Sequence, residues 1–261
     1  MPLYDPAKRP SKRPVRTEDG SVTLYSEEFG ECYHSTRDGA LRESLAKHVR
    51  PAFALLEPRE EVAILDICFG LGYNTLATLL HLQSLDAPPR LRIYAPELDR
   101  ELVASLERFD YPDAFTGLRP VVEALGRTGR YEDERTRIEV LFGDAREIVR
   151  TLDGPVDLVY QDAFSPAKNP LLWTREWFAD LRALCRDDAI LTTYSVAAST
   201  RMGLHENGFL LYEYRPEGAR KSLIASPTPL RSPLEGLTPI DMELKMKRNP
   251  DARSLRDGEF E

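Results

Sequence analysis

Apolar residues in this chain gather into short runs separated by stretches of helical spacing. Residues 61–67 (EVAILDI), 91–97 (LRIYAPE), 137–142, 156–161 and 189–194 read as strands. Helices are expected over 75–85 (TLATLLHLQSL), from Asp99 to about Phe109, from Asp144, from about Trp173 to Cys185, and near Ala198 to Asn207. The mixed stretch 111–134 holds a helical insertion around Leu118 to Leu125, and Phe209–Tyr214 with Ser222–Ala225 can pair as a terminal antiparallel hairpin. Short apolar strands alternating with helices predict an α/β fold with a mainly parallel, Rossmann-like sheet covered on both faces. Ligands of such sheets bind at the carboxyl ends of the strands, near the switch in strand order.

The residues at those carboxyl ends carry the candidate chemistry. The first strand runs into Asp66-Ile-Cys-Phe-Gly70-Leu-Gly72-Tyr-Asn74, where two glycines allow a tight turn and close approach to a ligand at a helix amino end. Thr75 stands where a dinucleotide fingerprint needs its third glycine, and no G-K-[ST] follows. Glu97 ends the second strand, where a carboxylate can accept from both hydroxyls of a ribose, while Asp99 reads as the cap of the next helix. Gly143-Asp144-Ala145 ends the third, with Asp144 either accepting from a purine amino group or capping its helix. The fourth strand delivers DAFSPAKNPLLW, residues 162–173. There Asp162 can accept the hydrogens of an amine and aim its lone pair, with Phe164 packed beside it.

Composition narrows the class. The chain has 261 residues, 42% hydrophobic and 30% charged, enough for one large domain. No run approaches the roughly 18 apolar residues of a membrane span, and MPLYDPAKRPSKRP has no apolar signal segment, so a cytoplasmic location is expected. Cys32, Cys68 and Cys185 form no C-x-x-C pair and have no His at ligand spacing, which argues against a metal site or a disulfide framework. A net charge of −8 argues against a generic nucleic-acid binder. Basic residues nevertheless collect in the first 16 residues (Lys8, Arg9, Lys12, Arg13, Arg16) and in the tail (Lys245, Lys247, Arg248, Arg253, Arg256), both expected to be flexible.

A glycine turn, an acid after the second strand, G-D-A after the third and D-x-F-x-P after the fourth resemble the nucleoside-binding rim of class I S-adenosylmethionine-dependent methyltransferases. The loop D-x-F-[SA]-P-A-K-N-P-x-x-W is similar to that of the methyltransferase domain of the MnmC family. The likeness continues through Thr17-Glu-Asp-Gly-Ser21, Glu28-Phe-Gly-Glu-x-Tyr-His-Ser35, Gly39-Ala-Leu-x-Glu43, Thr192-Thr-Tyr-Ser195, Val196–Arg201, Gly208-Phe209 and Gly218-Ala-Arg-Lys221. It covers about residues 17–226. One position departs: the usual F-G-T-G-x-N is here Phe69-Gly-Leu-Gly-Tyr-Asn74, and Leu71 cannot supply the Thr hydroxyl.

The resemblance implies methyl transfer from S-adenosylmethionine to the amine of 5-aminomethyluridine at the tRNA wobble position, with the anticodon stem-loop as partner. It implies Tyr33, Ser35, Phe69, Gly70, Gly72, Asn74, Glu97, Asp144, Ala145 and Asp162 around the cofactor, and Asp162 as the catalytic residue. Phe164, Lys168, Asn169, Trp173, Arg201, Arg220 and Lys221 are the candidates on the substrate side. Trp173 is most simply a hydrophobic anchor, with base stacking the second reading, and partnership with surface acids explains the arginines and Lys221 almost as well. His34 is given no catalytic role. The expected organisation is a segment 1–54 packed on the core, a methyltransferase domain over 55–226, and a charged tail 227–261. With no room for the flavin oxidase domain of many members, a stand-alone enzyme is expected, its aminomethyl substrate made separately. A spermidine-synthase-like aminopropyltransferase is the alternative, as is another small-amine methyltransferase, although the G-G-G-D-G loop of the first is missing and Lys168 would repel a diamine. A cofactor-binding scaffold without turnover is a third reading.

Overall fold

The computed structural model describes residues 11–260. A small antiparallel meander, β1 (Lys12–Arg16), β2 (Val22–Ser26) and β3 (Glu31–Cys32), comes first. A continuous helical run follows: α1 (Ala40–Glu43), a π-helical stretch (Ser44–Val49) and α2 (Arg50–Leu55).

The rest builds one nine-stranded sheet. In chain order its elements are β4 (Glu61–Ile67), α3 (Tyr73–Leu82), β5 (Arg90–Glu97), α4 (Arg100–Ser105), α5 (Arg119–Thr128), β6 (Arg130–Glu132), β7 (Thr136–Phe142), α6 (Ala145–Val149) and β8 (Val156–Gln161). Then come α7 (Arg175–Leu184), β9 (Cys185–Thr193), α8 (Ala198–Glu206), β10 (Leu210–Tyr214), β11 (Ser222–Ser226), β12 (Leu237–Pro239) and α9 (Met242–Arg248). The strand order is β12-β10-β11-β9-β8-β4-β5-β7-β6. Strands β7, β5, β4, β8 and β9 are parallel, and the two margins are antiparallel. From β4 the chain builds outward through β5 to β7, then returns to place β8 on the other side of β4. The switch point therefore lies between β4 and β8, whose last residues Ile67 and Gln161 are paired.

Alternation along the strands divides the core in two. Val62 and Ile64 of β4 face the cluster that includes Leu76, Leu102 and Leu125, while Leu65 and Ile67 face the one around Trp173, Trp177 and Phe178. All of β8 is buried, so its polar residues need partners. Asp157 meets Arg59, Arg186 and the Ala63 amide, and Gln161 bridges the Leu172 carbonyl and the Trp177 indole.

Two expectations need correction. Lys12, Arg13 and Arg16 are not in a loose arm but in β1, where Lys12 pairs with Asp99 at 2.5 Å and Arg13 lies over the Tyr25 ring; Lys8 and Arg9 lie outside the described residues. The tail is also folded. β12 pairs with β10, α9 is capped by Asp241 with Met242 buried beneath it, and Leu255 bridges to Thr174. The tail's apolar residues dock singly on a surface already formed, so they leave no periodic signal in the sequence.

Candidate active site

The turn after β4 needs unusual backbone. Cys68, Gly70 and Gly72 all have left-handed φ (62°, 54° and 70°), which is costly for Cys68 alone. A Cβ on Gly72 would lie 2.7 Å from the Phe69 ring, and one on Gly70 would lie 3.1 Å from Tyr33. The Tyr111 hydroxyl donates to the Leu71 carbonyl at 2.6 Å, so this position is held through its backbone while its side chain is buried.

Neighbouring loops converge on that turn. Glu97 at the end of β5 accepts from the Gly70 and Asp99 amides, each at 2.7 Å. Burial pushes its carboxyl up, and those two amides pull against the shift. The remaining lone pairs of this clamped carboxylate are available to a diol. Asp144 caps α6 by accepting from the Arg146 amide at 2.9 Å and also pairs with the Arg146 guanidinium. Asp99 caps α4, accepting from Leu102. Capping and ligand contact do not exclude each other, because Asp99 and Asp144 still border the cavity.

Asp162 leaves β8 beside the same turn. Its Oδ2 accepts from Asn74 Nδ2 at 2.9 Å, and its Oδ1 lies 3.5 Å from His48 Nε2. Burial works to raise this carboxyl, but the charge and contact of His48, with help from His34 and Asn74, hold it below the ordinary value. The group is thus an anion at neutral pH. The loop after it is pinned from several sides. Phe164 stacks on Phe29 (centroids 4.3 Å apart, 16° between planes) and meets the edge of Tyr33 at 4.9 Å. Ser165 is bonded to Glu31, the Tyr194 hydroxyl donates to the Ala163 carbonyl at 2.9 Å, and Trp173 Nε1 donates to the Phe164 carbonyl at 2.7 Å.

These loops enclose a cavity of about 950 Å³, bordered by Tyr33, Ser35, Phe69, Gly70, Asn74, Glu97, Asp144, Ala145, Asp162, Phe164, Asn169 and Arg220. Its size suits a nucleoside cofactor with part of a second substrate. At one side the buried Lys47 joins Asp38 (2.6 Å) and Glu43 (2.7 Å), and Arg220 reaches Asp38 and Ser35. The other sequence-expected residues do not border it. Gly72 shapes the turn from behind as the amino cap of α3, and Lys168 is exposed over Gly30. Arg201 bonds the Val196 carbonyl and Lys221 pairs with Glu213. Trp173 is corrected from substrate contact to anchor: it is fully buried against Phe178 and Tyr194 and offers no face to a ligand.

Several residues at the site escaped the sequence. Phe29 and Glu31 clasp the Asp162–Ser165 loop from the meander, Phe260 borders the cavity from the tail, and His48 stands behind Asp162. Only Phe29 and Glu31 had a signal, since both lie inside the quoted Glu28–Ser35 motif. Among the described residues no group of three His, Cys, Asp or Glu side chains is arranged to hold a metal, and no helix is long and apolar enough to cross a membrane.

A sheet of this order, with an acid after its second parallel strand and a glycine turn at the switch point, is that of an S-adenosyl-L-methionine-dependent methyltransferase. The profile of a family so described matches residues 120–228. The crystal structure of MnmC2 from Aquifex aeolicus is 33% identical, with a TM-score of 0.81 over 98% of this chain and 82% of that one. The chain therefore belongs to the MnmC methyltransferase family. Among curated proteins, the tRNA 5-methylaminomethyl-2-thiouridine biosynthesis bifunctional protein MnmC of Azoarcus is 34% identical over 79% of this chain and 34% of its own length. An uncharacterized protein of Methanocaldococcus jannaschii is 30% identical over 80% of this chain and 57% of its own. The chain thus spans about a third to little more than half of these curated relatives.

The cavity fits S-adenosylmethionine on its own evidence. At the cavity's edge a Cβ on Gly70 would press on Tyr33 at 3.1 Å, Glu97 holds a buried carboxylate at the wall, and the buried Asn74 Oδ1 has no partner within the protein.

Proposed function

We propose that this chain methylates the primary amine of 5-aminomethyluridine at the wobble position of tRNA, giving 5-methylaminomethyluridine. The observation that carries the reading is the place of Asp162 at the end of β8, bonded by Asn74 inside the cavity and beside an aromatic wall of Phe164, Phe29 and Tyr33. The MnmC relatives supply the acceptor's identity.

When bound, S-adenosylmethionine would supply an electrophilic methyl group on a positively charged sulfur: as the N–C bond forms the S–C bond breaks, S-adenosylhomocysteine leaves, and the methylated ammonium gives its proton to solvent. Glu97 would accept hydrogen bonds from the ribose hydroxyls, and Asp144 with Ala145 would border the adenine. Asp162 accepts hydrogens of the incoming amine and aims its lone pair, which is an orienting role because its carboxyl is held too acidic to keep a proton. The aromatic wall excludes water from the amine. Asn169 and Arg220, at the cavity border, face the anticodon stem-loop, with the exposed Lys168 beyond them. Residues 11–54 act as the cover of a methyltransferase domain over 55–226, and the reaction takes place in the cytoplasm.

A polyamine acceptor is not favoured. Glu43 is already paired with Lys47, and Asp38 with Lys47 and Arg220, so the acids on that side of the cavity have their cations. The test incubates the protein with labelled S-adenosylmethionine and tRNA from cells unable to complete the wobble modification, with putrescine in parallel. Nucleoside mass spectrometry should find 5-aminomethyluridine converted to its methylated form and no labelled polyamine. Label on putrescine, or tight cofactor binding with unmodified tRNA, would refute the acceptor assignment.

A further inference from the structure

His48 lies in the π-helical stretch of the amino-terminal segment and is completely buried. Its Nδ1 is 2.9 Å from Thr192 Oγ1 on β9. The edge of its ring faces Tyr160 of β8, with centroids 5.9 Å apart. Its Nε2 has no hydrogen-bond partner and is directed at Asp162 Oδ1, 3.5 Å away. A buried ring nitrogen left one short step from a carboxylate is uncommon, since such groups are normally satisfied. Contacts of this kind are often long in an empty site and tighten when substrates bind.

Asp162 is therefore met at both oxygens by different parts of the chain: Asn74, from the first turn of α3, donates to Oδ2, and His48 Nε2 stands 3.5 Å from Oδ1. Each oxygen retains a second lone pair, and these form the pair of acceptors an amine can use. From the elements packed around Asp162, His48 and His34 of the amino-terminal segment and Asn74 of α3 favour its charged form, while its own charge pushes up Asp66 and Cys68 at the end of β4 and Tyr194 after β9. Around His48 itself, Glu43 and Lys47 on the same helical run are engaged with each other and with Asp38.

We propose that His48 is the positioning residue of Asp162: anchored by Thr192, it fixes the rotamer in which the carboxylate accepts the amine's hydrogens. The proposal rests on the reading that Asp162 meets the acceptor amine. It also gives the amino-terminal segment a part in the chemistry, beyond covering the cofactor. The sign of its pH effect follows from the surroundings. With His48 gone, burial acts on Asp162 without its main counterweight, so the carboxyl rises and is protonated at higher pH.

The test compares wild type, His48→Phe, His48→Gln and Thr192→Val. Each is measured for single-turnover methyl transfer from pH 5.5 to 9, KM for tRNA, cofactor affinity and melting temperature. The Asp162 carboxyl is followed by ¹³C NMR in the absence of tRNA, assigned with Asp162→Asn. His48→Phe should lose on the order of 10–100-fold in rate, with KM and cofactor affinity little changed. Its acid limb should move to higher pH, and the Asp162 carboxyl should titrate higher. His48→Gln, whose amide can still donate to Oδ1, should recover much of the rate, and Thr192→Val should fall between. A folded His48→Phe or Thr192→Val with wild-type rate, pH profile and carboxyl titration would overturn the proposal. So would losses that follow cofactor affinity alone. If wild type fails to methylate the tRNA, the acceptor assignment falls by itself, because the carboxyl titration still decides whether His48 governs Asp162.

Discussion

Asp66, buried behind Asp162, differs from it in charge state. Burial pushes its carboxyl up to about 7, with the charge of Asp162 adding to the shift and the donors Thr75 and Asn74 opposing it. Asn74 leans toward both acids, at 2.9 Å from Asp162 and 3.5 Å from Asp66, and the opposite shifts of the two carboxyls favour one negative charge on the pair, on Asp162 at the cavity. This has a measurable consequence for stability. Between the ordinary 3.8 and about 7 the unfolded chain has lost the Asp66 proton while the folded chain keeps it. The folded state then binds more protons, and its stability falls as pH rises through that window. Asp66→Asn mimics the protonated acid and does not titrate. Urea unfolding should show the variant gaining on wild type, by on the order of 1–4 kcal/mol, from pH 4 to pH 7; a constant difference would place the Asp66 proton wrongly. Residues such as Glu97 and Asp162 were legible because they end apolar runs, where a parallel sheet presents its ligands. His48 was not, since nothing local distinguishes it and its partner lies far along the chain.

Among the elements, the parallel strands were read correctly because two-sided burial leaves an almost unbroken apolar run. Strand β1 left no such mark. KRPVR is mostly exposed, and only its pairing with β2 defines it. The helical run 40–55 was absorbed into a nominal segment, although it carries His48 and the buried Lys47. Helices α7 and α8 show how one residue sets an approach between elements. A Cβ on Gly203 of α8 would lie 2.7 Å from the ring of the fully buried Phe178 of α7. Alanine gains about 1 kcal/mol of helix preference over glycine, whereas overfilling a tight core costs about 1–3. Gly203→Ala should therefore destabilise by roughly 1 kcal/mol in urea unfolding. A stabilised variant would mean that Phe178 yields freely.

For the molecule as a whole, one sheet organises a site whose parts come from almost its full length, from Phe29 in the meander to Phe260 in the tail. The sequence motifs located the floor of the cavity, at the ends of β4, β5, β7 and β8. Its cover was less legible, because the meander and the tail are held by single contacts such as Phe29 on Phe164, Lys12 on Asp99 and Arg256 on Glu176. A net charge of −8 sits with an RNA substrate only if recognition is local, and the cations near the cavity are few and partly engaged, as Arg220 is by Asp38. The chemistry then depends on the anion that the fold holds at the cavity wall. The most direct test is the single-turnover methyl-transfer rate of Asp162→Asn on aminomethyluridine tRNA, measured with its cofactor affinity. A loss of about 100-fold or more with affinity nearly unchanged is expected. A wild-type rate, or a loss matched by weakened cofactor binding, would contradict the role given to Asp162.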